Sequence, residues 1–287
     1  MNYRKHSLLV FMLIALCMGL NAQEGVGIGQ WRTHMPYQQV IDVETFGSKV
    51  FAATSYELFS YDRDDNSLAV LNKINSLSDI GISTIRYNAS QHVLMVAYTN
   101  ANIDLIDADG HVFNMSDIKD KTILGNKTIN AIVFQGEFAY VACGFGIVVF
   151  DLKRQEVKDT YYIGQNGSAV NVTDIAFYNG RVYASTDRGL YYAEASGSNL
   201  AYFASWTFDN SLIHPYMNYN EMEVFGGKLL LNYSDNVYNA DTLFVFDGTQ
   251  WDYFDKSFST NKYDLRVCGN QLLISGYNNV YAYDTDL

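Results

Sequence analysis

Apolar and polar residues alternate over short stretches of this chain, and the segment from Val172 shows the pattern most plainly. VTDIAFYNGRVYASTDRGLYYA reads as three strands: Val172 to Phe177, Arg181 to Ser185 and Leu190 to Ala193. Apolar and aromatic residues fill them without the three-and-four spacing of a helix. Asn179-Gly180 marks a tight hairpin, because a type I′ turn needs positive φ at both central positions. Thr186 to Gly189 is a longer turn ending in glycine. One such unit cannot bury its own face, so copies are expected.

Six copies occur, beginning at Val40, Ile82, Ile129, Val172, Tyr219 and Lys262. Each predicts strand, turn with Gly or Asn, strand, polar turn, strand. The third strand ends on an acid: Asp62, Asp107, Asp151, Glu194, Asp247 and Asp284. These acids recur about every 44 positions, within the ~40–50-residue period of a four-stranded propeller blade. An Asp at that place is expected to accept hydrogen bonds from backbone amides two residues on. A fourth strand follows five of the copies, at 67–71, 111–115, 157–163, 205–209 and 250–255. The pattern predicts an all-β chain, a β-propeller of four-stranded blades with six blades visible.

The copy from Lys262 lacks a fourth strand, whereas GVGIGQWRTHMP at 25–36 is a strand without a blade. Gln30-Trp31 repeats the Gln250-Trp251 start of a fourth strand. An N-terminal outer strand that completes the last blade ties a ring together and hides sheet edges. Two rings fit: six blades closed by the Trp31 strand, or seven with the last supplied by chain beyond Leu287. The seven-bladed ring is the expectation, with this chain as an incomplete part.

Composition changes the picture in two ways. Residues 1–22 carry Arg4 and Lys5, an apolar run from Leu8 to Leu16 and MGLNA before Gln23. That is a secretory signal peptide, cleaved after Ala22 and too short to span a membrane. Leu16 before Cys17 argues against a lipoprotein. The chain is therefore expected to be exported to the periplasm or cell surface, with residues 23–287 forming the propeller and no membrane span. Without the leader, 17 basic residues face 31 acidic ones, a net charge of −14. Such a surface repels nucleic acid and anionic membranes. Cys143 and Cys268 lie in the third and sixth copies, too far apart in a ring for a disulfide, and both are expected to be buried free thiols.

Recognisable chemistry is sparse. His34, His92, His111 and His214 show no metal spacing. DRDDNS at 62–67 imitates a calcium loop, but Ser67 and Lys73 stand where Gly and Glu are needed. GVGIG at 25–29 opens no helix and GFG at 144–146 lies inside a hairpin, so neither is a phosphate loop. The cluster of His214, Tyr216 and Tyr219 is read as blade-edge cover in preference to a sugar platform. Asp241-Thr242-Leu243 resembles an O-glycan acceptor of exported Bacteroidota proteins. No catalytic, cofactor-binding or metal-binding residue is assigned, and no cofactor is expected.

The runs KINSLSDIGISTIRYN (73–88), NIDLID (102–107), SDIKDKTILGNKTIN (116–130), YVACGFGIVVF (140–150) and KRQEVKDTYYIG (153–164) carry a resemblance. They are similar to the N-terminal propeller of PorZ-family proteins of the type IX secretion machinery of Bacteroidota. The similarity runs from Gly27 to about Ala193 and includes loops as well as strands. Family members are longer, with two propellers and a C-terminal β-sandwich sorting domain. This chain is therefore expected to be the N-terminal part of a longer protein. The resemblance implies a non-enzymatic surface scaffold that works with the sortase PorU and with PorV and PorQ, and that presents anionic lipopolysaccharide. An alternative is the periplasmic ectodomain of a two-component sensor, whose propellers share the NSLSD-type connector. An enzyme would need carboxylates or histidines converging at the channel mouth, whereas the repeat-placed acids are expected at outer turns.

Overall fold

The computed structural model describes residues 39–123, 125–234, 241–254, 262–276 and 278–285, with the Tyr263 side chain left out. Six antiparallel sheets follow one another along the chain, each a meander with neighbouring strands in sequence order. Blade 1 holds β1 (Val40–Phe46), β2 (Lys49–Thr54), β3 (Glu57–Asp62) and β4 (Leu68–Asn72). Blade 2 holds β5 (Ile82–Asn88), β6 (Val93–Tyr98), β7 (Ile103–Ile106) and β8 (Val112–Met115), followed by a one-turn helix α1 (Asp117–Asp120). Blade 3 holds β9 (Ile129–Gln135), β10 (Phe138–Cys143), β11 (Gly146–Asp151) and β12 (Glu156–Tyr161). Blade 4 holds β13 (Val172–Tyr178), β14 (Arg181–Thr186), β15 (Gly189–Glu194) and β16 (Thr207–Phe208). Blade 5 holds β17 (Tyr219–Phe225), β18 (Lys228–Tyr233), β19 (Thr242–Phe246) and β20 (Trp251–Tyr253). Blade 6 has three strands among the described residues: β21 (Lys262–Cys268), β22 (Gln271–Gly276) and β23 (Val280–Asp284).

The turns follow the local chemistry. Asn179 and Gly180 have φ of 48° and 76°, as a type I′ hairpin requires. Gly146 has φ of 148°, and a Cβ there would stand 2.2 Å from the Tyr161 carbonyl oxygen, so no side chain fits. Four of the repeated acids cap their turns as expected. Asp62 accepts from the Asp64 amide, Asp107 from Asp109, Asp151 from Lys153 and Asp247 from Thr249, at 2.7–3.0 Å. The other two acids bond across their own blades: Glu194 pairs with Arg181 at 2.8 Å and Asp284 accepts from Gln271 at 2.9 Å.

Alternation in the middle strands sends side chains to both neighbouring blades. In β10, Ala139, Val141 and Cys143 join the cluster shared with blade 2, whereas Ala142 joins the cluster shared with blade 4. Five apolar clusters fill the seams between successive blades from 1 to 6. The NSLSD connector is fixed by its own side chains. Leu77 fills the seam of blades 1 and 2, and Ile118 of α1 holds the same place one seam later. Asp79 takes Lys119 at 2.8 Å, Asn100 at 2.5 Å and Lys73 at 3.3 Å. Those bonds outweigh the effect of its burial and hold its pKa well below the usual range.

One expectation is not confirmed and one is corrected. The seventh blade is not confirmed: Arg266 of β21 reaches Asp42 and Glu44 of β1, at 2.8 and 2.6 Å, so blade 6 stands directly beside blade 1. Cys268 is exposed rather than buried, because it joins none of the apolar seams, whereas Cys143 is buried in the seam of blades 2 and 3; both are free thiols. The signal peptide and the Trp31 strand lie outside the described residues.

Candidate functional site: the central channel

The innermost strands are β1, β5, β9, β13, β17 and β21. Each carries a bulge at its second residue. A bulge bends the strand and re-aims the side chains beside it. In two blades the bulged side chain crosses to the next blade. Asn130 donates to the Val172 carbonyl at 2.6 Å, and Thr173 donates to the Tyr219 carbonyl at 2.5 Å.

The third and fifth residues of these strands build the channel wall. The third residues are Asp42, Thr84, Ala131, Asp174, Glu221 and Asp264; the fifth are Glu44, Arg86, Val133, Ala176, Glu223 and Arg266. Blades 3 and 4 supply the apolar part of the wall, and blades 1, 2, 5 and 6 most of the charge. Asp42 accepts from the Ile85 amide at 2.9 Å and from Thr84 at 2.7 Å, which ties blade 1 to blade 2. Asp174 repeats the device, accepting from the Met222 amide of blade 5 at 2.7 Å and from the Ile175 amide at 2.8 Å. Arg86 and Arg266 converge on blade 1 from either side, each 2.8–2.9 Å from Asp42. Arg266 also lies 3.2 Å from Asp264.

Six carboxylates in one channel face two guanidiniums, and burial raises the pKa of four of them, Glu44, Asp174, Glu221 and Glu223. Burial pushes Asp174 up to about 7 against the pull of its two amide bonds. Glu221 is raised well above its ordinary value by burial first, and then by the charges of Asp174 and Asp264. Burial likewise raises Glu223 and Glu44, with Arg266 and Arg86 opposing the rise at Glu44. Two cavities open along the channel, of about 590 Å³ beside blades 1 and 6 and about 430 Å³ beside blades 4 and 5. Arg86, Glu221 and Arg266 line both.

The strand pattern by itself does not single out these residues. Four of the acids that end third strands cap outer turns, whereas the channel acids sit two or four places into four of the six copies. Aligning the six copies on their first residue would have exposed them: four of the six third positions are acidic. The convergent carboxylates that an enzyme would need are therefore present. Asp42 and Asp174 are spent on holding neighbouring strands together.

The other candidates disperse. His92 packs edge-on against Phe46 at 5.5 Å, and His111 bonds Asp107 within its turn at 3.0 Å. DRDDNS forms the turn between β3 and β4. Tyr219 is buried, with its hydroxyl donating to the His214 carbonyl at 2.6 Å, while exposed Tyr216 stacks on Phe208 at 5.1 Å. The aromatic cluster thus covers a blade edge with one ring and leaves the other outside. Asp241 is buried at the junction of blades 5 and 6, where it accepts from the Lys262 amide at 2.7 Å. Thr242 is half-buried in a paired strand, a poor place for a glycan. GVGIG and His34 lie outside the described residues. Among the described residues, no helix is long and apolar enough to cross a membrane.

Comparison with known proteins places the ring. The solved structure of PorZ from Porphyromonas gingivalis, described as an essential surface component of the type IX secretion system, matches with a TM-score of 0.71 at 23% identity. That match covers 91% of this chain and 34% of PorZ, so the chain spans about a third of that protein's length. The extracellular domain assigned to a hybrid two-component system of B. thetaiotaomicron gives a TM-score of 0.64 at 14% identity, covering 91% of this chain and 35% of that one. BamB from Moraxella catarrhalis gives 0.54 at 12% identity, covering 84% of this chain and 67% of that one. No curated protein sequence matches. At these identities the structures show the propeller fold alone. The sequence profile of the PorZ N-terminal β-propeller domain of type IX secretion matches residues 50–207, from β2 of blade 1 to the start of β16 in blade 4. That stretch is more than half of the chain, and on it the chain belongs to the PorZ N-terminal β-propeller family.

Proposed function

We propose that this chain is a non-enzymatic scaffold of the type IX secretion apparatus, acting in the complex that attaches secreted cargo to the cell surface. The match of residues 50–207 to the PorZ propeller carries the reading. By family resemblance, its partners are the sortase PorU and the proteins PorV and PorQ, and its ligand is anionic lipopolysaccharide. The use of Asp42 and Asp174 as inter-strand clamps supports a structural rather than a catalytic channel. The acidic net charge supports a partner other than nucleic acid.

Export belongs to the same reading, with residues 1–22 as the signal peptide and Gln23 as the mature N-terminus. N-terminal sequencing of the secreted form checks this, and a lipid on Cys17 would defeat it. Deleting the gene in its own bacterium should leave type IX cargo unattached, and restoring the gene should repair attachment. Normal attachment in the deletion strain would sink the proposal. The sensor-ectodomain reading rests on a weaker likeness, a TM-score of 0.64 at 14% identity.

A further inference from the structure

The seam between blades 6 and 1 differs from the rest. Val40, Ile41 and Val43 of β1 and Val267 of β21 are 40% to 54% exposed there. They line the cavity of about 590 Å³ that opens into the channel. Grouped exposed aliphatics on a soluble fold mark contact with another molecule, and the volume falls within the ~300–1,000 Å³ of binding sites.

The channel end of the same cavity is short of positive charge. Asp42, Glu44, Glu221 and Asp264 line it with Arg86 and Arg266. Both guanidiniums are engaged: Arg266 with Glu44 at 2.6 Å and Asp42 at 2.8 Å, Arg86 with Asp42 at 2.9 Å. Glu221 makes no direct hydrogen bond or ion pair among the described residues. Ser83 lines the same cavity, and its buried hydroxyl oxygen has no partner among the described residues. A metal ion suits this place poorly. Among the described residues, ligand atoms gather closely enough for one ion at Asp107, Asp109 and His111, far from the channel carboxylates. A basic side chain beside Glu221 would relieve the burial and like charge that keep its carboxyl protonated, and apolar side chains would cover the valines. A Lys or Arg flanked by aliphatic residues does both. β1 ends its sheet on the channel side, so its unpaired backbone groups can meet an extended segment that enters the slot from the channel.

We propose that the slot between blades 6 and 1 receives an extended segment of a partner protein, with one basic side chain against Glu221 and aliphatic side chains against Val40, Ile41, Val43 and Val267. This rests on charge complementarity and the apolar walls, and it is independent of the secretion reading.

The test uses the full chain and two fluorescein-labelled peptides, Val-Ile-Lys-Val-Ile and the same peptide with Glu in place of Lys. Fluorescence anisotropy should show saturable binding of the Lys peptide, weakened by about 0.5 M salt, and none of the Glu peptide. Glu221→Gln should weaken binding roughly tenfold or more, the loss of a charge-assisted contact. Asp252→Asn, at an exposed acid of β20, should leave it unchanged. Thermal unfolding of each variant separates lost binding from lost folding, and Val267→Ser provides a second disruption of the slot. Absence of saturable binding, equal binding of the two peptides, or full binding by a folded Glu221→Gln chain would overturn the proposal. So would a dimer in light scattering that excludes the peptide, which would make a second copy the occupant.

Discussion

Two seams of the same ring are held by different physics. Between blades 2 and 3, Met95, Ile103, Met115, Ile132, Val141, Cys143 and Phe150 form one buried apolar cluster. Between blades 6 and 1, the described contacts are Arg266 with Asp42, Glu44 and the Val43 carbonyl, and the flanking valines stay exposed. The first seam joins neighbours in sequence; the second joins residues more than 220 positions apart. Apolar burial is non-directional and tolerates small shifts of one blade against the next. A guanidinium between two carboxylates is directional and fixes register. The ring is thus assembled by apolar seams in chain order and registered at its closing seam by charge.

Each seam contains one cysteine, which gives the largest expected contrast. In the native protein, Cys268 should react with a thiol reagent within minutes. Cys143 should be slower by on the order of a thousandfold or more, since it reacts only on opening of the fold. Burial also raises its pKa and keeps it protonated. Peptide mapping after timed labelling reads both sites, and comparable rates would show that the blade 2–3 seam opens as readily as the charged one.

Truncating the two seams should cost different amounts. Phe150→Ala removes a fully buried ring from the apolar seam and should lower unfolding free energy by about 3–5 kcal/mol, with little dependence on salt. Arg266→Ala should cost less, about 1–3 kcal/mol, because its side chain is still a quarter exposed and water partly screens the bonds. That loss should shrink in high salt, and a double-mutant cycle with Asp42→Asn should show coupling. A salt-independent loss at Arg266 would mean that it acts through packing of its stem.

The channel adds a pH dependence of unusual sign. Asp174 stands at about 7 in the fold against an ordinary value of 3.8, so the native state binds the extra proton. Its contribution to stability is complete below about 3.8 and is lost as the pH rises through about 7. Glu221 and Glu223 shift in the same direction. The melting temperature should therefore fall between pH 5 and pH 8, by about 2–4 °C for each kcal/mol lost. Asp174→Asn should flatten that slope, and an unchanged slope would place the proton elsewhere. The smallest effect belongs to Tyr216→Ala. Its ring is 74% exposed and stacked on Phe208, and its loss should change stability by about 0.5 kcal/mol or less.

The contrast between the seams also marks the limit of what was legible in the sequence. Strands, turns and blade period could be read directly, because each depends on residues within a few positions. Asn179-Gly180 specifies its hairpin, Asp247 its turn, and alternation in FAYVAC the two faces of β10. A predicted acid at the end of the third strand does cap four of the six turns. The channel could not be read in the same way. Nothing near Asp174 in sequence reveals that its partner is the Met222 amide, 48 residues away in the next blade. Cys268 and Cys143 both end a strand, and only the packing tells them apart, Cys143 lying in the apolar seam of blades 2 and 3 and Cys268 exposed.

The sequence by itself determined the repeat: a blade of short strands whose apolar alternation demands a neighbour on each side. Tertiary structure alone decided how many neighbours close the ring and what meets at its centre. Periodicity is a property of local backbone geometry, repeated every blade. Among the described residues, closure rests on a long-range juxtaposition, Arg266 against Asp42 and Glu44, and the inner strands crowd their acids into one space. Burial and mutual repulsion act there only once the ring exists.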